Sequence, residues 1–424
     1  MTSPSYSKDN TLILITNHFP YGISESFLES EMDYLVKSYQ KVIVLARDVN
    51  SPLIRQAIDG YTPHRADPKS DLTEVILTLG LYLKHFKRVW RVLRTEICWL
   101  QERKRKITPG IARVFFHTLT KALTTSHHLN KIIYTHKLTG RVTLYSYWLT
   151  SSALATIFVT SKHVTFKRIA RGHGGDVYEN RNALHYLSFR STLIHELDAI
   201  FVISENGAQH LRQQVSPGNK TIRVSRLGTS YAGAPAEKKI ESPFVLVSCS
   251  FLVPVKRIHL IIDALSHLQQ LNIHWIHIGD GPLKESLQTQ AAEKLGSQPN
   301  IRYTFQGALT NAEVLAFYKR QPVDLFINTS SSEGIPVTMM EAQSFGIPVL
   351  GPEVGGVPEI VSPACGRLFP PQASAREIAD KIRELLLLPA DDYGRLRSHA
   401  LQNWRERYNA EQNFSTFVTE ILNL

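Results

Sequence analysis

The chain is short of cysteine, of acidic residues and of long apolar runs. Cys98, Cys249 and Cys365 are its only cysteines. They are odd in number, far apart and without metal-ligand spacing, so they read as free thiols in a reducing compartment rather than as a disulfide framework or a zinc site. No apolar stretch approaches the ~20 residues that a membrane-spanning helix needs. The first ten residues are polar, with no basic start, apolar run or small-residue cleavage site, so no secretory signal is expected and the protein is expected in the cytosol. No Asp-x-Asp pair and no His/Cys cluster is present, so a catalytic metal is not required and none is expected. Asp and Glu number 37 against 48 Lys and Arg, a formal charge of +11. That balance favours an acidic partner: nucleotide phosphates, anionic lipid or nucleic acid. No nucleic-acid recognition motif accompanies the charge, so nucleic acid is not expected.

What is present is ample for two cores. A chain of 424 residues exceeds the usual single-core limit, and 43% hydrophobic with 20% charged residues is ordinary for a globular protein. Short apolar runs alternate with amphipathic stretches throughout, which argues for an α/β protein with parallel sheets covered on both faces. Strands are expected at 11–16, 42–46, 141–147, 165–170, 199–204 and 222–225, then at 244–250, 275–278, 301–305 and 325–328. Residues 48–71 read as a polar connection, and 74–100 as one helix. Ser230 to Pro243, rich in Ala, Pro, Glu and Lys, has the composition of a linker. The expected division is 1–228, a linker at 229–243, and 244–410, with a last helix at 411–424 crossing back to the first domain.

The most informative stretch runs from Ser331 to Val361. Glu333 and Glu341 stand eight positions apart, and Gly334, Ile335 and Pro336 between them give a helix-start signal with proline at the first helical position. The free N–H groups near Val337 and Thr338, at the positive end of the helix dipole, suit a phosphate or diphosphate. A carboxylate before and one beyond that site would serve a ligand with a diphosphate in its middle and a sugar at each end. The bland alternative makes Glu333 a helix cap and Glu341 a surface residue.

Other segments point the same way. Arg171-Gly172-His173-Gly174-Gly175-Asp176 places an imidazole at the C-terminal end of a strand, where α/β crevices bind ligands. Lys256 and Arg257 precede an apolar-periodic helix over 258–271, a position the dipole disfavours for cations unless an anion is bound; as a solvated helix start they would need no ligand. Gly22 lies in the loop after the first strand. Gly279 and Gly281 are two glycines of a dinucleotide fingerprint, with Lys284 in the place of the third. Along 84–106, Lys84, Lys87, Arg88, Arg91 and Arg94 form a stripe beside Phe86, Val89, Trp90 and Leu93. Such a basic amphipathic helix suits an anionic membrane surface, or equally a packed helix with a solvated basic face.

The Ser331 to Val361 segment resembles the signature of glycosyltransferase family 4, retaining nucleotide-sugar transferases of the GT-B fold, and the resemblance spans nearly the whole chain. It implies two Rossmann-like domains with parallel sheets facing a central cleft, and transfer of a sugar from a nucleoside diphosphate sugar to a glycan or lipid-linked acceptor with retention of configuration. The donor is a substrate, so no cofactor is implied. Glu333, with the N–H groups of Gly334 and Ile335, would hold the donor sugar, and His173 would face it. Lys256, Arg257 and the amides near Pro336, Val337 and Thr338 would hold the diphosphate, approached by the Gly22 loop. Glu341 would bind ribose, and the loops with Gly279 and Gly307 would shape the nucleoside site. The family generally has an arginine where this chain has Phe251, a glycine where it has Arg257, and paired glycines where it has Gly22 alone. Its usual work suggests assembly of exopolysaccharide or lipopolysaccharide on the inner face of a bacterial membrane.

Overall fold

Apolar runs of four to six residues flanked by polar turns cannot bury both faces alone, and in the computed structural model they do so in two parallel sheets. The structure describes residues 10–22, 25–49, 59–66, 71–214, 221–231, 233 and 243–424; most of the expected linker at 229–243 lies outside them. The chain divides into two compact units, 1–225 with 414–424, and 226–413.

In the first unit the strands are β1 (Asn10–Thr16), β2 (Lys41–Ala46), β3 (Tyr61–Arg65), β4 (Gly140–Ser146), β5 (Val164–Gly172), β6 (Ala199–Val202) and β7 (Ile222–Val224). They lie in the order β3-β2-β1-β4-β5-β6-β7, every pair parallel. The second unit holds β8 (Phe244–Cys249), β9 (Ile273–Ile278), β10 (Ile301–Gly307), β11 (Leu325–Ile327), β12 (Val349–Pro352) and β13 (Gly366–Phe369), ordered β10-β9-β8-β11-β12-β13. In both sheets the order reverses beside the first strand, between β1 and β4 and between β8 and β11. In open α/β sheets, ligands bind outside the carboxyl ends of the strands at such a point.

Arg171, fully buried, ties the closing helix Ala410–Leu422 into the first unit. It pairs with Glu31 at 3.2 Å, donates to the Tyr145 hydroxyl, and stacks its guanidinium 4.2 Å over the Phe417 ring.

Several local expectations need correction. The connection at 48–71 contains β3, a polar edge strand whose register places Pro63 opposite Val44; proline is tolerated at an edge because its missing N–H interrupts no inner ladder, and the polarity hid the strand. The helix expected over 74–100 is two, Asp71–Lys84 and Phe86–Glu102, broken at His85. A 27-residue helix, Pro109–Thr135, was not anticipated; Thr108 caps it by accepting the Ile111 N–H, and Ile111, Phe115, Leu119, Ala122 and Leu129 line its buried face. The helix expected over 258–271 spans only His259–Leu265. Pro336 is the N-cap, its carbonyl accepting from Met339, so Val337 is the first helical residue.

Candidate functional site

Three loops meet at the switch point of the second unit. One leaves β8 and makes a short 3-10 turn, Pro254–Lys256. A second leaves β11 and enters the helix Val337–Ser344. The third is the Gly355-Gly356 turn after β12. Backbone hydrogen bonds sew them together: Ser331 N–H to the Val255 carbonyl at 2.8 Å, and Gly356 N–H to the Gly334 carbonyl at 2.8 Å. A Cβ on Gly356 would stand 2.6 Å from that carbonyl oxygen, so only glycine allows this approach.

Within this frame Lys256 Nζ donates to Glu333 Oε1 at 2.6 Å, and Asn328 Nδ2 donates to the same oxygen at 3.2 Å. Glu333 is buried; it does not cap the helix, whose N-cap is Pro336. Among the described residues no acceptor takes the N–H of Gly334, Ile335, Val337 or Thr338. Four donors thus lie in a row from the loop into the positive end of a helix, beside an ammonium group. That is the arrangement that binds anions.

Arg257 is placed differently from Lys256. Its Nε, Nη1 and Nη2 donate to the carbonyls of Thr329, Pro371 and Ser330, so the guanidinium braces the loops. Its φ is +48°, the left-handed region that explains a usual glycine here. Phe251 is 69% exposed and supplies no charge.

Glu341 is no surface residue. It is buried, accepts a hydrogen bond from the Asn311 amide, and burial pushes its carboxyl up to about 7, the Asn311 bond offsetting part of the rise. Thr310 caps the helix Asn311–Arg320 in a capping box with Glu313, and this leaves Asn311 free for Glu341. The Cys249 thiol at the end of β8 is pushed up to about 12, first by burial and then by the Glu341 charge. Gly279 (φ +144°) and Gly307 (φ +81°) pair through the Gly279 N–H and Gly307 carbonyl at 2.8 Å.

In the first unit the switch point gathers His173 from the end of β5, Tyr147 and Trp148 from the end of β4, and Glu25 and Phe27 from the loop after β1. The His173 ring packs on Trp148 and Tyr147 with centroids 4.6 and 4.9 Å away, with Phe27 at 5.9 Å. His173 is buried, and among the described residues neither ring nitrogen has a hydrogen-bond partner, Nδ1 standing 3.8 Å from Asp176 Oδ2. Asp176 accepts from the His173, Gly174 and Leu149 N–H groups. Burial alone would raise this carboxyl, but the His173 side chain and those amides outweigh it and hold it below the usual range. Gly22 takes a φ of +67°, as a glycine turn allows.

Reasoning from the sequence missed Glu25, Trp148 and Asn311. Glu25 stands three positions after Gly22, and a carboxylate in a loop at a strand's end was the available signal. Trp148 follows β4 at the crevice edge; for Asn311 no local signal exists.

Residues 234–406 match the family model described as Glycosyl transferases group 1. The putative colanic acid biosynthesis glycosyltransferase WcaL of Escherichia coli K12 is 26% identical over 252 residues, 56% of this chain and 60% of that protein; the chain therefore spans about 60% of the length of this curated relative. The O-antigen biosynthesis glycosyltransferase WbnH of Escherichia coli is 26% identical over 307 residues, 70% of this chain and 78% of that one. The crystal structure of HepE from Anabaena in complex with UDP-glucose superposes with a TM-score of 0.64 at 15% identity, covering 97% of this chain and 99% of the other. The two parallel α/β sheets thus have a known counterpart, the GT-B fold, and residues 234–406 are similar to the group 1 glycosyl transferases.

Proposed function

We propose that the protein is a retaining glycosyltransferase that moves a sugar from a nucleoside diphosphate sugar to a hydroxyl of a glycan or lipid-linked acceptor in surface-polysaccharide synthesis. The observation that carries this reading is the Lys256–Glu333 pair beside the unpartnered amides of Gly334, Ile335, Val337 and Thr338. An ammonium and four N–H donors suit a diphosphate, and an adjacent carboxylate suits sugar hydroxyls. Relatives named for colanic acid and O-antigen biosynthesis support the class of product, and a neighbour crystallised with UDP-glucose supports the class of donor.

In this reading the bond between the donor anomeric carbon and the diphosphate oxygen breaks, and the acceptor oxygen forms the new bond on the same face. Negative charge grows on the diphosphate, where Lys256 and the amides stabilise it. The acceptor proton passes to the leaving diphosphate. Glu333 holds sugar hydroxyls and favours the oxocarbenium-like transition state. Glu341 binds the ribose, and the Gly279 and Gly307 loops border the nucleoside.

A panel of UDP- and GDP-sugars with oligosaccharide and lipid-linked acceptors tests this, scored by nucleoside diphosphate release. Release is expected with one donor, dependent on acceptor, and reduced about 10²-fold or more in Glu333→Gln. Nucleotide binding without turnover of any donor would favour a non-catalytic binding protein, the reading to which the bare Phe251 points. Turnover unchanged in Glu333→Gln would remove the proposed site.

A further inference from the structure

The first unit carries an exposed apolar face whose residues are not among those of the proposed site. Fourteen large hydrophobic side chains are exposed among the described residues, and six of them, Val75, Ile76, Leu79, Leu83, Phe86 and Trp90, lie within sixteen positions. From Ile76 onward they repeat at steps of three and four, the spacing of one helix face, carried across the break at His85 from helix Asp71–Lys84 into helix Phe86–Glu102. The second helix is firmly seated: Val89, Val92, Trp99 and Leu100 are buried on its other side. The exposed side is therefore a fixed feature of the fold. A soluble surface seldom gathers so many apolar groups without a partner.

Charge selects the partner. Between Val75 and Thr95 there is no Asp or Glu, and there are five lysines and arginines. Two are used internally, Arg88 on the Ile157 carbonyl and Arg91 on Glu196 at 2.9 Å. Lys84, Lys87 and Arg94 are exposed and have no carboxylate partner among the described residues. A second copy of the chain docked by the same face would set these cations against their own kind. An anionic bilayer offers apolar depth for the aromatic and aliphatic side chains and headgroup charge for the flanking cations. No helix among the described residues is long and apolar enough to cross a membrane, so the contact lies in the interface plane.

We propose that this face, centred on Phe86 and Trp90 and flanked by Lys84, Lys87 and Arg94, docks on an anionic lipid bilayer. The contact narrows the expected basic surface of 84–106, because Arg103 and Arg105 donate to the carbonyls of Gln214 and Leu184 and Arg88 and Arg91 are engaged.

The test is flotation of the full chain with vesicles of phosphatidylcholine alone and of phosphatidylcholine mixed with phosphatidylglycerol, which reads binding without reference to any sugar donor. Binding to the mixed vesicles is expected, falling as salt rises. Lys87→Glu with Arg94→Glu should weaken it by about tenfold or more, at roughly 1 kcal/mol for each surface cation. Phe86→Ser with Trp90→Ser should weaken it comparably, and Trp90 fluorescence should shift to the blue on binding. The exposed pair Lys131→Glu with Lys137→Glu, elsewhere on the unit, should leave it nearly unchanged. Unaltered circular dichroism checks that each variant folds; the milder Lys87→Gln serves if a double variant does not. Failure of the wild type to bind mixed vesicles, equal loss from the control pair, or a dimer that Phe86→Ser with Trp90→Ser dissolves would overturn the proposal.

Discussion

Lys256 Nζ sits 2.6 Å from Glu333 Oε1, joining two loops that are 77 residues apart in sequence and that leave neighbouring strands. The side chains are 23% and 11% exposed, so water screens the pair only partly. Lys256→Met should leave a mostly buried carboxylate without its ammonium partner, the Asn328 amide still donating to it, costing about 1–3 kcal/mol in chemical denaturation. Glu333→Gln keeps a carbonyl oxygen for Lys256 and should cost less than about 1 kcal/mol, while turnover drops by roughly two orders of magnitude. A Gln variant that loses stability and activity in the same proportion would make the pair a structural clamp only.

Burial raises the Glu341 carboxyl from its ordinary 4.5 to about 7. The folded protein therefore holds a proton that the unfolded chain has released anywhere between those values. Stability should decline as pH rises from about 4.5 to 7 and level off above, by roughly 3 kcal/mol in total for this one group. Glu341→Gln should abolish that part of the slope and match or exceed the wild type above neutrality. If Glu341 accepts ribose hydroxyls as a carboxylate, UDP affinity in calorimetry should also rise through pH 7 in the wild type and stay flat in the variant.

These two predictions differ in how far the sequence alone reached. The Glu333–Glu341 spacing, the amide row and Lys256 were legible, because a strand-loop-helix pattern places neighbouring residues by local geometry. The strand order was legible as a class, since alternation of strand and helix dictates parallel pairing. Asn311 meeting Glu341 was not, because they lie 30 positions apart and no local rule pairs them. The bracing by Arg257 was hidden for a similar reason: its three carbonyl partners come from residues 329, 330 and 371. The helix 109–135 escaped because Thr, Ser and His interrupt its apolar stripe, while long-range burial of Leu119, Leu123 and Leu129 makes it form.

Gly279 and Gly307 pair across the mouth of the proposed nucleoside site, yet they should respond differently to alanine. A Cβ on Gly279 would fall 1.9 Å from the Ser250 carbonyl oxygen, and backbone cannot yield without moving β8 against β9. Gly279→Ala should cost about 3 kcal/mol or more. A Cβ on Gly307 meets nothing within 4 Å, so its cost is the left-handed backbone alone, about 1–2 kcal/mol. Urea midpoints of the two variants would separate these mechanisms; equal losses would mean that the Ser250 contact relaxes freely.

Glu25 supports the His173 cage from below. Its carboxylate accepts the N–H groups of Asn17, His18 and Phe19 at 3.2, 2.8 and 2.8 Å and the indole N–H of Trp148, whose ring lies against His173. A carboxylate offers acceptor sites only, matching four donors. Glu25→Gln turns one end into a donor facing donors, and an amide loses the charge that strengthens the remaining bonds, so a loss of about 2–3 kcal/mol is expected. The indole should loosen at the same time, which near-ultraviolet circular dichroism would register as a weaker tryptophan signal. A glutamine variant with wild-type stability and an unchanged tryptophan signal would show that the loop is held by its own backbone, and that Trp148 keeps its place on His173 through ring packing alone.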